Sequence, residues 1–159
     1  MLDVALSQLA PLLPSQPFSA RREALLSALN GVLGDYLLAD NNPLAIPMRL
    51  RRGGKPVDLD RGALAQRFAD CNGRVLVMVH GLCMNDLQWL REGHDHGAAL
   101  ADEFDYTALY LNYNSGRHIS CNGREFAATL EQLVDSWPVP VTELVIVGHS
   151  MGGLITRAA

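Results

Sequence analysis

The chain has 159 residues, 48% of them hydrophobic and 19% charged, with a formal net charge of −4. It is long enough for one domain with a real core and too apolar to be disordered. Its basic residues gather into no long stripe, which argues against nucleic acid as a partner, and no apolar run approaches the roughly eighteen residues that span a bilayer.

The three cysteines, Cys71, Cys83 and Cys121, show no CxxC spacing, and Met1-Leu2-Asp3 lacks a positive region. Reduced thiols in a cytoplasmic protein without a signal peptide are the expectation. Cys83 reads as a small buried hydrophobe.

Pro11, Pro14 and Pro17 rule out one long helix over residues 1–18 and suggest a segment lying on the domain surface. Ser19 then looks like an N-cap. Leu25, Leu29, Val32, Leu33, Tyr36 and Leu37 share a helical face, predicting a helix to about Leu38 whose stripe packs on the core, with a lid over an active site as the sharper alternative.

Ile46 to Leu50 and Pro56 to Leu59 flank Arg52-Gly53-Gly54-Lys55, a hairpin signal. Arg49, Arg51, Arg52 and Lys55 read as its solvated tip. A short helix is expected over 61–68, a strongly buried strand over 74–79, and mixed helix and loop over 86–104. A third strand covers 108–113. Asn122 and Glu125 are spaced as a capping box for a helix that ends before Pro138.

The last stretch, Leu144-Val145-Ile146-Val147-Gly148-His149-Ser150-Met151-Gly152-Gly153, reads as a strand buried on both faces, a sharp turn and a helix start. Its GxSxG pattern places a glycine two residues either side of Ser150, where a Cβ would crowd a serine held at the tip of a tight turn. The amide of Met151, first in the new helix, is left free to donate to an anion.

Val77-Met78-Val79-His80-Gly81-Leu82 followed by this GxSxG segment resembles the α/β-hydrolase fold, most closely its bacterial esterase and lipase branch. The resemblance covers roughly Ile46 onward. It implies an α/β architecture, a mostly parallel sheet with helices on both faces, with residues 1–45 as a helical extension and 46–159 as the N-terminal half of the hydrolase domain. It further implies Ser150 as nucleophile, the backbone amides of Leu82 and Met151 as the oxyanion hole, and His80, Gly81, Gly148 and Gly152 as supporting residues. A small-molecule ester or acyl substrate and no cofactor follow. His149 would pack beneath the turn.

A serine hydroxyl needs a base and an orienting carboxylate, and in this fold both follow the nucleophile. None of the nine residues after Ser150 is Asp, Glu or His. The expectation is therefore that the acid and base lie beyond residue 159, that the sheet is cut after the nucleophile turn, and that the isolated chain is inactive. His94 and His118 precede the nucleophile and would need unexpected geometry to act as base. His94-Asp95-His96 lacks the ligand number of a zinc site, so no metal is expected. A thioesterase or acyltransferase of the same fold would keep these residues, and a non-catalytic hydrolase-like binding module is the reading from another class.

Overall fold

The computed structural model describes residues 19–159, so the surface segment expected over 1–18 lies outside the described residues. The first element, α1 (Ala20–Ala39), starts where Ser19 accepts from the amide of Arg22. Strands β1 (Arg49–Arg52) and β2 (Lys55–Pro56) form the hairpin, turning through Gly53 and Gly54 with φ of 60° and 72°. Such angles are open to glycine at little steric cost.

Next come α2 (Arg61–Arg67), β3 (Arg74–Val79), a 3-10 turn (Asp86–Trp89), the small hairpin β4 (Leu90–Arg91) and β5 (His94–Asp95), and α3 (His96–Phe104). The chain continues through β6 (Thr107–Asn112), α4 (Ile119–Ser136), β7 (Glu143–Gly148) and α5 (Met151–Ala158).

The main sheet has the order β2-β1-β6-β3-β7. Strands β6, β3 and β7 run parallel, while the hairpin joins β6 antiparallel. Alternate side chains of the parallel strands serve two cores. Val75, Val77, Val79, Leu109 and Leu111 pack with Leu64, Phe126, Leu133 and Ile155 from α2, α4 and α5, and with Phe68 and Trp137, which end α2 and α4. Leu76, Met78, Ala108 and Tyr110 face Trp89, Leu100 and Ala101 on the other side. Helices therefore cover both faces, as in α/β-hydrolase-type folds.

Four local readings are corrected. On α1 the buried face is Glu23, Leu26, Ser27, Asn30, Gly34 and Leu37, while Leu25 and Val32 are 55% and 76% exposed. Polar residues bury there because each finds a partner: Asn30 donates to the carbonyls of Leu26 and Leu44 and accepts from the amide of Ile46. The cap of α4 is His118, whose ring accepts from the amide of Ser120, and Asn122 lies inside the helix, donating to the Asn114 carbonyl.

Arg51 is no solvated tip residue. Its guanidinium lies 2.7 Å from Glu23 and 3.1 Å from Asp86, both buried, tying α1 and the 3-10 turn to β1. Lastly, Leu144 to Val147 are half-buried, because among the described residues β7 pairs with β3 alone.

Candidate active site

Parallel strands deliver their C-terminal ends to one side of the sheet, and the loops leaving β3, β6 and β7 meet there. Ser150 stands between β7 and α5 with φ 53° and ψ −121°, exposed. A positive φ at a non-glycine residue costs on the order of 1–3 kcal/mol and persists only where its surroundings enforce it.

The enforcement is visible in the glycines. A Cβ on Gly148 would lie 2.7 Å from the Gly153 nitrogen, so strand and helix close on each other with no room for a side chain. One on Gly152 would lie 2.4 Å from the Val79 carbonyl oxygen and 2.7 Å from that of His80. The second glycine thus serves the approach of α5 to the end of β3, beyond serving the turn itself.

Gly81 brings the other loop to the serine. A Cβ there would sit 3.2 Å from the Ser150 Cβ and 3.0 Å from the His149 Nδ1. His80, with 0% exposure, turns its Nδ1 to the Gly81 carbonyl at 2.9 Å and stacks on Tyr113 at 4.3 Å between centroids. Only an Nδ1 carrying hydrogen can donate to that carbonyl, which fixes the tautomer. Burial pushes the ring down to about 4, against the opposing pull of the Gly81 bond, so it is neutral at physiological pH. The neutral ring is thus held between the Gly81 carbonyl and the Tyr113 ring, away from solvent.

The loop after β3 is a turn closed by the Met84 amide on the Gly81 carbonyl at 3.3 Å. Leu82, half exposed, and Cys83, at φ 57°, occupy its centre. Cys83 is therefore no plain core residue: it holds a backbone conformation that favours glycine. The cysteines are all free thiols, none paired with another. His149 is exposed instead of packed beneath the turn, its ring set edge-on to Trp89 at 6.3 Å.

Sequence reasoning missed the contribution of β6 and α1. The Tyr113 hydroxyl donates to the His80 carbonyl at 2.6 Å, and Ser115 Oγ accepts from the Cys83 amide at 3.0 Å. Gly31 and Gly34 of α1 let these loops approach: a Cβ on Gly31 would lie 2.2 Å from the Cys83 Sγ, and one on Gly34 2.7 Å from the Gly116 backbone. The available signal was the presence of two glycines inside a helix, which costs about 1 kcal/mol each relative to alanine unless close packing offsets it.

Ser150 Oγ has no hydrogen bond to any side chain among the described residues. His118 binds Ser120, and His94 lies ring to ring with His96 at 4.8 Å. Neither has a contact with Ser150. No group of three or more potential metal ligands converges among the described residues. Nor is any described helix long and apolar enough to cross a membrane.

A family model described as Putative serine esterase (DUF676) matches residues 71–159, more than half of the chain, from just before β3 through α5. No curated protein and no solved structure matches it.

Proposed function

This chain belongs to the Putative serine esterase family, and from that premise we propose that it hydrolyses carboxylic esters with Ser150 as nucleophile. The observation that carries the reading is the strained Ser150 backbone, enclosed by Gly81, Gly148 and Gly152, at the point where strand becomes helix.

Ser150 Oγ adds to the ester carbonyl carbon as its proton passes to a histidine base, and the carbonyl electrons move onto oxygen. The amides of Met151, first in α5, and of Leu82, in the turn after β3, are the donors for that oxyanion. Donors fixed where charge develops are each worth roughly 3 kcal/mol. The tetrahedral intermediate collapses, the alcohol departs with the proton from the base, and water then cleaves the acyl-enzyme to release acid and restore Ser150. The proposal calls for no cofactor.

The base and its carboxylate partner come from chain beyond residue 159 in this reading. Support lies in Ser150 Oγ having no side-chain partner among the described residues and in His118 and His94 being engaged elsewhere. The three free thiols favour a reducing, cytoplasmic setting. A thioesterase or acyltransferase would use the same residues with a different acyl donor or acceptor.

A fluorophosphonate probe read by intact mass tests this. In the full-length protein one adduct is expected, absent from Ser150→Ala. No adduct on the full-length protein would leave a hydrolase-like binding module as the better reading. An adduct already present on the 159-residue chain would place the base within it.

A further inference from the structure

The turn after β3 is held from outside the two motifs. Cys83 is a non-glycine residue at φ 57°, a conformation that needs restraint to persist. Two restraints act on it. Its amide donates to Ser115 Oγ at 3.0 Å, and its Sγ lies where a Cβ on Gly31 would be, so α1 and the turn are in contact. Ser115 is itself fixed, at 2% exposure, between neighbours that bind α1. Asn114 donates to the Gly34 carbonyl at 2.9 Å and accepts from the Gly116 amide, and Gly116 fits against α1 where a Cβ would lie 2.1 Å from the Asn30 carbonyl oxygen.

We propose that Ser115 is a positioning residue for ester hydrolysis: its hydroxyl, locked beneath α1, holds the turn that presents the Leu82 amide to the oxyanion. Leu82 and Cys83 are the two central residues of one turn, so a rotation of the backbone at Cys83 tilts the peptide plane before it. With the Cys83 amide held, that plane has one orientation. Without the hold, Cys83 can relax from its strained angle, the Leu82–Cys83 peptide turns, and the adjoining Gly81–Leu82 peptide, which carries the Leu82 N–H, shifts with it through the Leu82 Cα. Helix α1, outside the matched region, thereby becomes part of the active-site framework. Gly31, Gly34 and the Asn30 carbonyl of α1 serve that docking.

The inference rests on the serine esterase reading, and the experiment separates the two. Rates on an ester and on its thionoester, which places sulfur where the oxyanion forms, are compared in the full-length protein. Sulfur is a poorer acceptor, so a well-set oxyanion hole favours the oxygen ester. Ser115→Ala should lower kcat/KM for the oxygen ester about 10- to 100-fold, less than the roughly 100- to 1,000-fold of removing an oxyanion donor outright, while the thionoester rate falls far less. The ratio of the two rates therefore narrows.

A merely structural role would lower the amount of active enzyme and scale both rates equally. Should Ser115→Ala not fold, Ser115→Cys fills the same space with a weaker acceptor and carries the same expectation. An unchanged ratio in the folded variant overturns the positioning role while leaving the esterase reading intact. A wild type that cleaves neither ester, or a Ser150→Ala variant that still cleaves both, overturns the esterase reading and this inference with it.

Discussion

The Cβ that Gly81 lacks would fall 3.2 Å from the Cβ of Ser150, so the loop after β3 and the turn after β7 touch at that serine. Its nearest neighbours, His149 Nδ1 at 3.0 Å and the His149 carbonyl at 3.3 Å, would have to give by a few tenths of an ångström. Gly81→Ala should therefore fold and lose activity, by about 10-fold or more in kcat, since small displacements at a reacting centre are costly. Gly152→Ala meets fixed backbone at 2.4 Å and should lose the fold instead. Initial rates on a p-nitrophenyl ester, set beside thermal unfolding of each variant, distinguish the two outcomes.

His80 makes stability depend on pH in a direction set by its burial. Its folded-state value of about 4 lies below the ordinary 6.5, so the unfolded chain binds the proton first as the pH falls. The contribution of the neutral ring is complete above 6.5 and is lost between there and about 4. At 1.36 kcal/mol per pH unit this amounts to roughly 3 kcal/mol. Urea unfolding at several pH values should show a positive slope in that window for the wild type and a flatter one for His80→Gln. Parallel curves would mean that His80 does not carry the dependence.

Arg51 pairs with two buried carboxylates, and removing it leaves Asp86 without that cation and Glu23 with Arg22 at 3.7 Å. Burial already holds the Asp86 carboxyl above its ordinary range, against the pull of Arg51. Arg51→Ala should cost about 3–5 kcal/mol, the usual penalty for breaking one side of a buried pair. Chemical denaturation of this variant beside Arg49→Ala, an exposed neighbour on the same strand, supplies the comparison. Equal midpoints for the two would contradict the ion-pair cluster.

Asn30 fastens α1 to the segment before β1 through two hydrogen bonds, of 2.8 Å to the Leu44 carbonyl and 2.9 Å from the Ile46 amide. Asn30→Ala leaves the Ile46 amide and the Leu44 carbonyl without this partner, at a cost of about 2–3 kcal/mol. Hydrogen exchange should then report faster opening of α1 than of the sheet. Uniform loss of protection across β3 and β6 would show that α1 and the sheet unfold as one unit.

The sequence by itself determined the parts whose signals are local. The bounds of β3, the middle of β7, the strand-to-helix turn after it, the Gly53-Gly54 turn and the Ser19 cap all follow from apolar runs, glycine pairs and one capping hydroxyl, each acting within a few residues. The tight turn at Ser150 with its flanking glycines was legible for the same reason, since the constraint on such a turn is a constraint on neighbours in the chain.

Only the tertiary structure decided what depends on residues far apart. The stripe of Leu25 and Val32 looked like the buried face of α1, and the burial of Glu23, Asn30 and Gly34 became evident only with Arg51, Ile46 and Gly116 in place against them. Likewise Asn122 has the look of a cap, yet its partner is a carbonyl eight residues back in the loop after β6. Ser115 carries no motif at all. Its bearing on the turn after β3 comes from a single contact across 32 residues, which no periodicity records because its energy comes from the packing of separate loops.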